Sequence, residues 1–311
     1  MIQSVIITNY LGVSLEFDLD KPDKTGIYIK KIDGLGPVSA NVNMTELSSA
    51  DGAVFNSARL NSRNIVIQFG LMFNPMIEDM RHVLYRLFPL KGQVLIRVIT
   101  DRRDLYTTGY VETNNPDIFS KEETQQVSIL CPTPWWNAIG SHRSDFFSVT
   151  KGFMFPFKND SLEDKLLTFG NISNFSEIII DYEGDAETGM LIEIHCLKTF
   201  SLGWSGCGIK LINADTDEQL YLSFEHQTST VQEIRAGDAF LISTVKGDKY
   251  AVRRRNGKDT NAINIMGRPT NWIQLRPGKN LFHLDMTLPG ASVSVSDFQV
   301  SFTYNAIYGG V

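Results

Sequence analysis

The chain has 311 residues, 42% of them hydrophobic, which is enough for two domains with a core each. The formal net charge is −6, with 13 Lys+Arg against 15 Asp+Glu up to residue 140 and 16 against 20 beyond it, so neither half is a basic nucleic-acid-binding domain. Three cysteines (Cys131, Cys196, Cys207) make an odd, low count that excludes a disulfide scaffold, and no apolar run approaches the ~18–20 residues of a membrane span. The N-terminus has no basic n-region and no long apolar h-region, so folding in a cytosol is expected.

Residues 3–8 and 25–32 alternate or run apolar between Gly, Pro and Asp, and read as strands. Residues 47–62 are polar and small, and suit a long loop or projecting hairpin turning at Asp51-Gly52. A loop this long in a compact domain is usually functional or mobile. Ser48, Asp51, Gly52, Phe55, Arg59 and Ser62 are therefore candidate contacts to a neighbouring subunit or partner. Residues 63–69 form the next strand. A helix is then predicted over 75–88, with Asn74 as N-cap, Pro75 at its first position, and Glu78 and Asp79 in the first turns. Met76, Ile77, Met80, Val83, Leu84, Leu87 and Phe88 fall on one face of that helix, which reads as core, and Pro89 stops it. Strands follow at 93–99, 105–113 and 125–130. The run from Ser128 to Asn137 ends the half: Pro132 and Pro134 close a strand, and Trp135 and Trp136 need buried area and a partner for each indole N–H.

Residues 138–164 read as a linker. Strands resume at 176–181, 190–197, 208–213, 220–224, 239–244, 249–254, 272–275, 280–286 and 292–304, with an Asn256-Gly257 hairpin signal and no helix. Many short strands at this spacing indicate an antiparallel sandwich. The expected fold is thus mainly β, with a one-helix domain over 1–140 and a sandwich over 141–311.

Chemistry-bearing patterns are weak. Gly203-Trp-Ser-Gly-Cys207 lacks the glycine two residues after serine that a nucleophile elbow needs. His195, Cys196 and Cys207 have no second ligand pair for zinc. The acidic stretch from Asp181 to Gly189 lacks the glycine and glutamate positions of a calcium loop and reads as a solvated turn. No catalytic residue, metal or cofactor is expected, which points to a binding or structural protein. Trp204 and Trp272 are candidate sugar-contact aromatics, with buried core as the simpler reading.

The order of features resembles the distal tail protein (Dit) family of siphophages. The first half carries Lys31-Ile-Asp-Gly-Leu-Gly36, Asp51-Gly52, Arg63-Asn-Ile-Val-Ile67, a helix with Arg81 near its middle, Gly109-Tyr-Val-Glu112, and Cys131-Pro-Thr-Pro-Trp135. The second half carries the stretch from Tyr182 to Gly189, Gly237-Asp238 before a strand, and Leu275-Arg-Pro-Gly-Lys-Asn280. The resemblance spans nearly the whole chain, and no inserted sugar-binding module interrupts it. It implies a belt domain that closes into a hexameric ring and a galectin-like sandwich facing outward. The ring would sit at the distal end of the phage tail, between the tail-tube protein and the tail-associated hub protein, with a receptor-binding protein as a further partner. DNA would pass its lumen without specific binding, and the chain would be synthesised in the bacterial host cytoplasm. A carbohydrate-binding host-adhesion protein is the alternative.

Overall fold

The computed structural model describes residues 1–19, 21, 25–47, 51–72, 76–119, 122–151, 170–174, 176–201, 208–224, 233–287 and 295–311. The chain divides into two units, Met1–Gly140 with Ile307–Val311, and Ser141–Ala306. It is mainly β with one α-helix, as the sequence predicts.

In the first unit the strands are β1 (Ile2–Asn9), β2 (Ser14–Asp18), β3 (Ile27–Asp33), β4 (Ala40–Glu46), β5 (Ala53–Leu60), β6 (Arg63–Leu71), β7 (Gln93–Thr100), β8 (Asp104–Asp117), β9 (Thr124–Cys131) and β10 (Trp136–Ala138), with β25 (Ile307–Tyr308) from the C-terminus. One antiparallel sheet runs β2-β1-β7-β8-β9-β6-β3, and β10 joins it by pairing with β8 and β25. Period-two alternation sends Val5, Ile7, Ile65, Ile67, Val94, Val98, Val127 and Ile129 to one face, where each is fully buried. The helix α1 (Ile77–Leu87) lies over that face. Phe17, Phe69 and Phe88 form a chain of tilted rings at 5.1 and 5.5 Å.

The helix corrects two expectations. It starts at Ile77, and its N-cap is Met76 with no side-chain cap, while Asn74 and Pro75 lie outside the described residues. Its apolar stripe is only partly core: Leu84, Leu87 and Phe88 are buried, but Met76 is 55% exposed and Val83 37%. The C-terminal half is the part held down, because Asn9 Nδ2 donates to Arg86 O at 2.9 Å from β1. The C-terminal residues also depart from the boundary the sequence suggests. Tyr308 pairs with Trp136, and Val311 N donates to Leu35 O, so 307–311 belong to the first unit rather than to a domain over 141–311.

The second unit holds β11 (His142–Asp145), β12 (Phe147–Lys151), β13 (Gly170–Asn174), β14 (Glu177–Tyr182), β15 (Leu191–Cys196), β16 (Phe200–Ser201), β17 (Gly208–Asn213), β18 (Glu218–Ser223), β19 (Glu233–Ile234), β20 (Ala239–Ser243), β21 (Tyr250–Arg255), β22 (Lys258–Asn261), β23 (Gly278–Thr287) and β24 (Phe298–Tyr304). A six-stranded sheet, β11-β24-β15-β20-β21-β22, and a four-stranded sheet, β14-β23-β17-β18, share a core. Phe282 of one meets Phe302 of the other at 5.3 Å, and Tyr182 meets Tyr304 at 5.9 Å. The β21–β22 hairpin turns at Asn256 and Gly257, both with positive φ (51° and 75°), as the Asn-Gly signal predicts. Two expectations fail here. Residues 138–164 are not all linker, because β11 and β12 form there, β11 pairing with the edge of β24. Residues 272–275 form no strand; Leu275 makes only a bridge to Thr188.

Candidate assembly surface

The stretch expected as a loop or projecting hairpin forms, with β4 before it, the most exposed element of the first unit. β4 and β5 pair only with each other, as a two-stranded ribbon in which every residue is exposed. Its register decides its chemistry. Ala40↔Leu60, Asn41↔Arg59, Val42↔Ala58 and Asn43↔Ser57 pair in step; the register then shifts, and Met44↔Phe55, Thr45↔Val54 and Glu46↔Ala53 follow. Asn56 is the extra residue of a β-bulge. Directly opposite residues share a face, and faces alternate along a strand. One face therefore carries Ala40, Val42, Met44, Phe55, Ala58 and Leu60, with Glu46 at its outer end. The other carries Asn41, Asn43, Thr45, Ser57 and Arg59, with Val54 as its apolar member. Without the bulge Phe55 would sit among the polar residues, since a one-residue slip exchanges the faces. Asn56 Nδ2 donates to Thr45 Oγ1 at 2.6 Å, which holds the bulge.

The apolar face is open to solvent: Val42 is 44% exposed, Met44 56%, Phe55 61% and Leu60 41%. A two-stranded hairpin alone is marginal in water, and a contiguous exposed apolar patch marks an interaction site.

The base of the ribbon is rigid. Asn61 N donates to Ser39 O at 3.1 Å, and Asn61 Nδ2 to Ser39 Oγ at 3.2 Å. Below it lies Arg63, fully buried, with no carboxylate among its hydrogen-bond partners. Its guanidinium donates to Gly34 O, to Gly36 O at 2.6 Å, to Pro134 O at 2.7 Å and to Gly309 O at 2.7 Å. One side chain thus ties the entry to the ribbon, the Pro-Trp segment and the C-terminus. Burial lowers its pKa from the usual value, yet arginine stays charged in proteins. Gly34 lets the chain pass against the backbone of β6: its φ is +89°, and a Cβ there would lie 2.0 Å from Asn64 O. Trp136 is fully buried with the guanidinium 5.3 Å from its ring, but its indole nitrogen has no hydrogen-bond partner, contrary to expectation.

Of the sequence candidates, Asp51 and Gly52 stand at the ribbon's outer end, with Gly52 at φ +97°. Phe55 lies on the apolar face, Arg59 on the polar one, and Ser62 is exposed just before β6. Ser48 lies outside the described residues. Val42 and Met44 were missed, although the alternation Ala40-Asn-Val-Asn-Met-Thr-Glu46 carries their period-two signal. Trp204 also lies outside the described residues, and Trp272 is half-buried with Lys249 Nζ 5.6 Å from its ring. Cys131 and Cys196 are buried free thiols; burial pushes Cys131 up to about 11, against a hydrogen bond from Thr107 and the charge of Arg63. Among the described residues no three His, Cys, Asp or Glu side chains gather as a metal site, and no helix is long and apolar enough to cross a membrane.

A one-helix antiparallel sheet with an exposed amphipathic ribbon, followed by a unit of two facing antiparallel sheets, defines a two-unit β protein with a surface suited to docking. The same fold, over nearly the full length, is that of the Dit protein of phage SPP1, described as a paradigm of the hub adsorption apparatus in phages infecting Gram-positive hosts. That likeness has a TM-score of 0.62 at 13% identity and covers 97% of this chain and 98% of the other. Chains of the phage P2 baseplate in its activated conformation are also similar, at 13% identity with a TM-score of 0.45 for the calcium form (98% of this chain, 99% of the other) and at 12% with 0.41 for the strontium form (97% and 98%). Neither a scan of protein-family models nor a search of curated proteins returns a match.

Proposed function

We infer that this chain is a structural protein of a phage tail tip, not an enzyme. In this reading it closes into a hexameric ring at the distal end of the tail, joins the tail-tube protein to the hub and host-attachment apparatus, and lets DNA pass during ejection. Its first unit is the ring-forming belt, and its second is a galectin-like sandwich. The observation that carries the reading is the exposed apolar ribbon face on a fold shared with a phage hub protein. Closed cyclic assembly needs two different complementary faces on each subunit, and a ribbon presented on a rigid base supplies one. The acidic balance of −6 suits a lumen that does not hold phosphate.

Magnitudes favour a closed assembly over a lone contact. Val42, Met44, Phe55 and Leu60 are each about half exposed, so burying what remains is worth roughly 1 kcal/mol apiece. Association costs about 4–15 kcal/mol in lost freedom. One ribbon contact therefore reaches at best the low end of that cost, whereas a closed ring holds every copy from both sides. Replacing residues 41–59 with a short glycine linker tests the reading, because Ser39 and Asn61 still close the base. The expected result is a folded protein that neither assembles nor complements tail formation; normal assembly and full complementation by this variant contradict it.

A further inference from the structure

A ribbon that docks needs a receiving surface, and the first unit offers one on the outer face of its sheet. Ile6, Thr8, Leu95, Arg97, Tyr106 and Ile139 line an open hollow of about 480 Å³ there. Register explains its composition. Ile6 stands opposite Arg97, Thr8 opposite Leu95, and Arg97 opposite Tyr106, while their neighbours Val5, Ile7, Val94, Ile96 and Leu105 point into the core. The hollow is thus the reverse side of a buried sheet, where water-facing residues would normally be polar. Ile139 is 45% exposed at its rim, and Tyr110 and Leu130, a cross-strand pair on the same outer face, are 47% and 42% exposed. Arg97 is held by Asp104 through Nε at 2.7 Å and Nη2 at 2.5 Å, so the hollow's cation is already neutralised and the floor presents apolar area.

We propose that the apolar ribbon face of one copy, led by Phe55, Met44 and Val42, seats in this hollow of a second copy. The proposal rests on the ring reading above and adds the pair of surfaces that makes the contact. Area argues for a second copy as the occupant. Seven residue pairs at ~3.3 Å rise make a face about 25 Å long and two strands (~10 Å) wide. That footprint is far below the ~800 Å² per partner of a stable two-body interface. A monovalent partner would gain too little from it, whereas identical copies that each give one ribbon and receive one gain it twice. The two surfaces differ, so the contact is head-to-tail, the kind that closes into rings.

Cross-linking tests this directly. In the full-length chain with Cys207→Ser, the native thiols of Cys131 and Cys196 are buried and silent to maleimides. Phe55→Cys is combined with Ile139→Cys, and a short bis-maleimide is added. A ladder of covalently linked copies is expected, absent when Phe55→Cys is combined instead with Met76→Cys, a 55% exposed position at the start of the helix over the opposite face of the sheet. Phe55→Asp is expected to abolish the oligomer in native mass while the released copies keep the wild-type far-ultraviolet circular dichroism, and Phe55→Leu to keep the oligomer. Oligomers that form normally but give no ladder, and that survive Phe55→Asp, overturn this docking while leaving the ring reading standing. A wild-type protein that stays monomeric alone and with tail partners overturns both.

Discussion

Replacing Arg63 with alanine is expected to destabilise the first unit by about 3–5 kcal/mol, because truncation strands several buried carbonyls at ~1–3 kcal/mol each, partly relieved by relaxation. Each hydrogen bond from a charged donor is worth ~1.5–3 kcal/mol, so a simple sum over Gly34, Gly36, Pro134 and Gly309 would exceed this. Desolvation of the guanidinium offsets much of that sum, because the side chain is fully buried. What remains after truncation is a set of carbonyls with no donor and a gap beside Trp136. Lysine should rescue little. An ammonium is a point charge with three donors and cannot span four carbonyls in the plane a guanidinium covers. At ~2–4 °C per kcal/mol for a unit of this size, the first unit's transition should fall by roughly 6–20 °C. Hydrogen exchange should also rise at residues 34–39 and 307–311 together, since one side chain holds both. A melting curve within a degree or so of wild type would show that the carbonyls find other donors, and the clamp would then be incidental.

Leu84→Ala is expected to cost roughly 2–5 kcal/mol. Leu84 is fully buried in the half of the helix that Asn9 pins to β1, and Leu87 and Phe88 beside it are equally covered. The pinned helix cannot settle into the space left by truncation, so the cavity persists. The contrast variant is Met76→Ala, at a 55% exposed position, where a change within about 0.5 kcal/mol is expected. Chemical denaturation of both variants separates the cases. Equal stabilities would mean that the helical stripe carries no core, against the burial pattern.

The parts of the fold legible in the sequence were those with a single strong local signal. Arg63 to Phe69 alternates, Gln93 to Ile99 is β-branched, and Asn256-Gly257 can take positive φ twice; all lie where expected. What escaped depends on distant partners. β2 (Ser14–Asp18) and β11 (His142–Asp145) are short edge strands, defined by pairing with β1 and β24 rather than by their own pattern. The C-terminus joins the first unit through Trp136 and Arg63, which no local pattern announces. The helix stripe looked uniform because periodicity reports which residues share a face, not how far along that face the sheet reaches. At the candidate surface, the polar composition of residues 47–62 suggested an exposed projection, and Asp51, Gly52 and Phe55 are there. Its amphipathic character was hidden, because simple alternation along residues 53–60 groups Phe55 with Ser57 and Arg59, and only the bulge at Asn56 brings it to the face of Met44 and Val42.

Native mass measurement with negative-stain imaging of the purified protein reads directly whether copies of this chain close on one another, as proposed. The expected result is a species at six times the 34.9 kDa of the chain and ring-shaped particles with a central opening. A single 34.9 kDa species at every concentration, unchanged when tail-tube and hub proteins are added, would contradict it.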